Sequence, residues 1–215
     1  MSRWRMLVWP LMALAAAYVI WRAEKRDAPL PPHAPIGVNT PDPTGDLGYE
    51  VGDFQLLDVD GQPVSKKDLD GKVWVASFFF SNCPGPCLTL NQNIAELARE
   101  FGPQGVVFVS VTVDPETDKP ETLKKYAERF AVPKEQWRFL TGDYAVIEEL
   151  ATKSFKVGVG ERTEVGPPGA YDIAHSDRLM IVDRTGKVRG AHRGRDAAEL
   201  VLVKRKLSNL LKETP

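Results

Sequence analysis

Residues 73–87, VWVASFFFSNCPGPC, constrain this chain more than any other stretch. No charge interrupts the apolar run between Lys72 and Cys83, which reads as a strand buried on both faces. The run empties into a short loop that holds the chain's two cysteines, Cys83 and Cys87, with Pro84, Gly85 and Pro86 between them. Leu90, Ile94, Leu97, Ala98 and Phe101 then recur at helical spacing on one face, so a helix follows the loop. The thiols therefore lie where a buried strand turns into a helix. Backbone N–H groups at a helix start favour thiolate over thiol. Thiolates act as nucleophiles or as soft-metal ligands.

The chain has 215 residues, a net charge of −1 and 43% hydrophobic residues. That is enough for one well-packed domain and an additional segment. The near-zero charge lacks the basic excess expected of a nucleic-acid binder. Two cysteines do not make a disulfide-rich scaffold. They are open to three uses: a structural bridge, a redox pair, or part of a metal site.

After a short tail, residues 1–5, the uncharged stretch 6–21 (MLVWPLMALAAAYVIW) is flanked by Arg3 and Arg5 on one side and by Arg22, Lys25 and Arg26 on the other. It falls short of the ~20 residues that comfortably span a bilayer. Arginines at both ends can snorkel, and Trp4, Trp9, Tyr18 and Trp21 suit the interface, so a transmembrane anchor is expected. A cleaved signal peptide is the competing reading, through Ala15-Ala16-Ala17. The aromatic residues and charged cluster after those alanines favour the uncleaved anchor. The flanking charges do not decide its orientation. Residues 22–48 are rich in proline and lack periodicity, and read as a semi-rigid linker in which His33 is solvated. Residues 49–215 form the folded domain.

In that domain, residues 53–58 alternate around Phe54 and Leu56, and Asp60-Gly61 turns the chain back through Val64 into a hairpin. Residues 106–113 (VVFVSVTV) form a second buried strand, ending at Asp114-Pro115. Asp118 and Glu121 have capping-box spacing around Pro120, and the helix they open places Leu123, Tyr126, Ala127 and Phe130 on one face. A short strand at 137–140 and a helix capped by Asp143 follow. Residues 154–174 carry many glycines and prolines and few apolar residues, and read as a long mobile loop or an open hairpin ending at His175. Strands at 178–182 and 187–189 and a final helix capped by Asp196 and Glu199 complete the order, with His192 solvated beside Arg193 and Arg195. Early strands alternate with helices and the late pair is a hairpin. The fold class is α/β, with one mixed sheet covered by helices on both faces.

Cys83 and Asp114 both follow buried strands expected to be parallel, and ligands gather beyond the carboxyl ends of such strands. If the 178–182 strand runs antiparallel to them, His175 reaches the same edge. Two thiolates and an imidazole suit copper or zinc. A structural zinc would normally take four protein ligands, so three donors favour an open, exchangeable site. Each residue also has a plainer reading. The cysteines could form a simple disulfide, His175 could be a satisfied edge histidine, and Asp114 could be a turn former.

Four segments, FFFSNCPGPC, VSVTVDPETDKPETLKKYAERF, WRFLTGD and YDIAHSDRLMIVDRTG, resemble the SCO/SenC family of copper-binding cytochrome oxidase assembly proteins. The resemblance runs from about Asp53 to about Lys212. It implies a thioredoxin-like fold with one bound copper ion, as Cu(I) or Cu(II), on Cys83, Cys87 and His175, and Asp114 supporting the site. It also implies a membrane-anchored metallochaperone facing the bacterial periplasm or the mitochondrial intermembrane space. The implied partners are cytochrome c oxidase subunit II, whose copper A centre would receive the metal, or a copper donor protein. Alternatively, Cys83 and Cys87 are a redox-active pair that keeps the cysteines of that centre reduced. Two positions depart from the family pattern: Leu88 where proline often follows the second cysteine, and Ala174 where aspartate often precedes the histidine.

Three rivals remain. A thiol–disulfide oxidoreductase of this fold usually has two residues between its cysteines and a proline facing them. Here there are three, and Ile173-Ala174-His175-Ser176 has no proline. A peroxiredoxin would have threonine three residues before its reactive cysteine, where this chain has Phe80. A tethered interaction domain with a structural disulfide leaves His175 unexplained.

Overall fold

The computed structural model of the chain describes residues 47–83, 85–165 and 170–213. The expected anchor at 6–21, His33 and nearly all of the linker lie outside the described residues. Among the described residues, no helix is long and apolar enough to cross a membrane. Leu47 and Gly48, the last residues of the expected linker, already donate backbone hydrogen bonds to Val188 at 3.2 Å.

The apolar runs form the centre of the sheet. Strand β3 (Trp74–Phe79) and strand β4 (Val107–Thr112) are buried along their whole length, so the sheet is covered on both faces. A polar layer within them is internally satisfied: the Ser77 and Ser110 hydroxyls meet at 2.8 Å, and Trp137 Nε1 donates to Ser110 Oγ at 2.9 Å. With β5 (Trp137–Leu140), β8 (Arg178–Val182) and β9 (Val188–Arg193), these strands form a five-stranded sheet in the order β5-β4-β3-β8-β9. Strands β3, β4 and β5 are parallel, whereas β8 runs antiparallel to β3. The expected hairpin is present as β1 (Gln55–Leu57) and β2 (Pro63–Ser65). This is the thioredoxin-like α/β arrangement implied by the resemblance.

Helix α1 (Pro86–Phe101) buries Leu90, Ile94, Leu97, Ala98 and Phe101, the face read from their spacing. Helices α2 (Pro120–Glu128), α3 (Tyr144–Glu149) and α4 (Ala197–Lys212) follow. Asp143 caps α3 and Asp196 caps α4 through backbone N–H groups, as expected. Of the two readings of residues 154–174, the structure contains the hairpin: β6 (Val159–Glu164) pairs antiparallel with β7 (Tyr171–His175) as a separate two-stranded sheet.

Two local expectations are corrected. Asp118 does not cap α2; Lys119 holds that position with Pro120 following it. Asp118 is instead fully buried, and its carboxylate accepts hydrogen bonds from Ser81 N at 2.9 Å, Thr112 Oγ1 at 2.5 Å and the Ser81 hydroxyl. Those buried donors outcompete a helix terminus that solvent can satisfy. Burial pushes this carboxyl above its ordinary range, while the bonds from Ser81 and Thr112 pull it back. His192 is not solvated either. Its side chain is mostly covered, and Nδ1 meets Glu199 Oε2 on α4 at 2.9 Å.

Asp118 thus ties the end of β3 to the end of β4, immediately before the cysteine loop. The substitution D118N keeps the shape but replaces one accepting oxygen with an NH2 donor that faces other donors. It should cost about 1–3 kcal/mol in urea denaturation. An unchanged midpoint would contradict the anchoring role.

Candidate metal and redox centre

The loop between β3 and α1 positions the thiols. Cys83 N–H reaches back to the Phe80 carbonyl at 3.4 Å, and Cys83 remains partly exposed. Cys87 lies in the first turn of α1 and is only 2% exposed. Both cysteines are free thiols. The helix-start expectation fails for Cys87: burial pushes its thiol well up, and the neighbouring Cys83 thiol adds to this. The Phe80 backbone provides only a partial offset.

Because β8 runs against β3, the strand preceding it brings His175 back to the cysteine loop. His175 Nε2 lies 3.3 Å from Cys87 Sγ, across 88 positions of sequence. His175 Nδ1 lies 2.7 Å from the Ile173 carbonyl, which can only accept, so Nδ1 carries the proton. The Nε2 lone pair is then directed at the sulfur, and the Cys87 thiol donates to it. This is the tautomer and orientation of an imidazole ready to ligate a metal.

The histidine strand is held from below. Phe80, the last residue before the cysteine loop, meets the His175 ring edge-on at 5.5 Å and stacks on Tyr171 at 5.8 Å. The Arg162 guanidinium lies 3.5 Å from the centre of the Tyr171 ring. The Tyr171 hydroxyl donates to Asp114 Oδ2 at 2.5 Å. Asp114 therefore combines the two roles left open by the sequence. Its carbonyl accepts from Thr117 and Asp118 N–H in the turn, and its carboxylate holds the strand that carries His175.

The structure thus brings Cys83, Cys87 and His175 to one sheet edge, with Asp114 one side chain removed from them. Among the described residues, no three His, Cys, Asp or Glu side chains are arranged tightly enough to hold a metal ion. Two donors that share one ion through bonds of roughly 2.0–2.3 Å stand roughly 3.5 Å apart, so the 3.3 Å separation of Nε2 and Sγ already suits that pair. The chemistry of the set still fits a soft metal: two sulfurs and one oriented imidazole.

Sequence reasoning passed over Tyr171, Phe80, Ile173 and Asp118. The alternation Tyr171, Ile173, His175 carried the signal for the first and third, because period two places them on the same side of a strand.

The chain is similar to proteins of one family. The family model described as SCO1/SenC matches residues 43–210. The SCO1 protein homolog of Bacillus subtilis is 37% identical over 145 residues, covering 66% of this chain and 72% of that protein. BsSco, described as having a disulfide switch and as a member of the Sco family of cytochrome c oxidase assembly proteins, superposes with a TM-score of 0.66 at 32% identity, over 79% of this chain and 97% of that one. Bradyrhizobium japonicum ScoI, solved with copper bound, superposes with a TM-score of 0.64 at 28% identity, over 75% of this chain and 99% of that one. On the family match, the shared fold and the paired cysteines facing a late histidine, the chain belongs to the SCO1/SenC family.

Proposed function

We propose that this protein is a membrane-tethered copper carrier for cytochrome c oxidase assembly, taking one copper ion as cargo on Cys83, Cys87 and His175. The observation that carries the reading is the 3.3 Å approach of His175 Nε2 to Cys87 Sγ, with Nδ1 fixed by the Ile173 carbonyl. The copper held by ScoI and the oxidase-assembly role of BsSco support the choice of metal and of pathway. Loading requires both thiols reduced and the Cys87 proton displaced, which makes binding a proton-releasing step. Cys83 is the more exposed sulfur, so an acceptor thiolate displaces it first, and release proceeds by exchange of one ligand at a time. Asp114 acts through Tyr171 to keep the histidine strand in place. In this reading residues 6–21 anchor the domain to the membrane, and it faces the periplasm or the mitochondrial intermembrane space. The acceptor is oxidase subunit II, and a copper donor protein supplies the metal.

A second reading has its own observation. The two thiols are free and adjacent, and one is accessible, as a dithiol reductant of exported or oxidase cysteines would require. The disulfide switch described for BsSco supports it.

The reduced fragment from Asp27 onward should bind one copper per chain and, with Cu(II), show a thiolate-to-metal absorption band. A fragment that stays metal-free at equimolar copper would overturn the carrier reading. H175A should weaken copper binding by at least about tenfold with an unchanged circular dichroism spectrum. Equal affinity would remove His175 from the ligand set. Y171F keeps the ring but leaves the buried Asp114 carboxylate short of a donor. It should cost about 1–3 kcal/mol of stability and lower copper affinity by less than H175A does, as measured by denaturation and metal titration. Robust turnover in an insulin-reduction assay would favour the reductant reading.

A further inference from the structure

A hollow of about 280 Å³ opens beside the cysteine loop; among the described residues it is lined by Ser81, Cys83, Gly85, Leu88, Tyr126 and Arg129. Cys83 borders it, whereas Cys87 is not in the lining and is 2% exposed. A partner sulfur approaching this site from the hollow therefore meets Cys83. Leu88 is 37% exposed, an apolar side chain presented to solvent one residue after Cys87. It also stands where the family often has proline. Tyr126 borders the hollow from the core, 6% exposed, with its hydroxyl accepting from Asn91 Nδ2 at 2.8 Å. The exposed Arg129 guanidinium lies 5.4 Å from the centre of that ring. Arg129 is the one charged side chain among these lining residues, and no carboxylate pairs with it among the described residues.

We propose that this hollow receives a cysteine-bearing segment of a partner protein, with a carboxylate near the partner cysteine seated on Arg129 and an apolar neighbour on Leu88. The charge argument selects the occupant. A guanidinium without an acidic mate prefers a carboxylate, and it repels a lysine placed at the same point. The incoming thiolate is itself anionic and gains from the same field. Arg129 and Leu88 thus act as specificity-determining residues for whichever thiol partner meets Cys83. This rests on Cys83 being the meeting point with a partner thiol, but not on copper.

The test uses the full chain, reduced and in detergent, and two short peptides that differ only in a Glu or a Lys two residues from their cysteine. Each peptide cysteine is capped as a mixed disulfide with 5-thio-2-nitrobenzoate. The Cys83 thiol loses its proton to solvent and attacks the peptide sulfur. A Cys83–peptide disulfide forms, the peptide–nitrobenzoate S–S bond breaks, and the coloured low-pKa thiolate leaves. The cap's own carboxylate is common to both peptides and cancels in the rate ratio. The Glu peptide should react roughly twofold to fivefold faster than the Lys peptide, the scale of an exposed ion pair. R129E should reverse the order. R129Q should bring the ratio toward one, and it gives the answer if R129E does not fold. An unchanged ratio in these variants, or an adduct mapped to Cys87, would overturn the proposal. The readout needs no metal, so failure of the copper reading would leave it standing.

Discussion

The approach of Cys87 to His175 depends on one constraint: β8 runs against β3. In that orientation the residues that precede β8 arrive at the edge where β3 ends, and the late histidine meets the early cysteines. A parallel β8 would start at the opposite edge of the sheet. The contact also sets the chemistry. It packs an imidazole lone pair against a buried thiol whose ionisation is opposed by burial. Such a thiol is a poor free nucleophile at rest, and a metal that replaces its proton relieves the penalty.

The end of β4 holds both arms of the site. Within Val-Asp-Pro-Glu-Thr-Asp, residues 113–118, two buried carboxylates do different work. Asp118 accepts from Ser81 and fixes the start of the cysteine loop, and Asp114 accepts from Tyr171 and fixes the histidine strand. Phe80 lies between the two arms and touches both Tyr171 and His175. Movement of the histidine strand must therefore break the Tyr171–Asp114 bond or slide the Tyr171 ring over Phe80. This couples site opening to a few identifiable contacts.

Much of this was legible in the sequence. The run from Val73 to Phe80 has no charge, so its burial follows directly, and the spacing from Leu90 to Phe101 identifies the face of α1. The meeting of His175 with the cysteines was legible only on the condition that the 178–182 strand runs antiparallel, a direction that the structure supplies. What stayed hidden depended on distant partners. Asp118 beside Pro120 reads as a helix cap, because local spacing cannot show that Ser81, 37 positions earlier, will need its carboxylate. The charge state of Cys87 was misread for the same reason. The helix start is visible in sequence, but the burial that outweighs it is a property of the packed core. Strand β6 was masked by Glu161, Arg162 and Glu164, exposed side chains in a bulged two-stranded sheet that carry no apolar alternation. His192 looked solvated beside two arginines until α4 placed Glu199 against it.

Copper-edge X-ray absorption on the one-copper protein counts donor atoms by type and so reads the ligand set itself. Two sulfur donors and one imidazole nitrogen are expected, with the imidazole signature lost in H175A. A single sulfur donor, or a spectrum unchanged by H175A, would contradict that set.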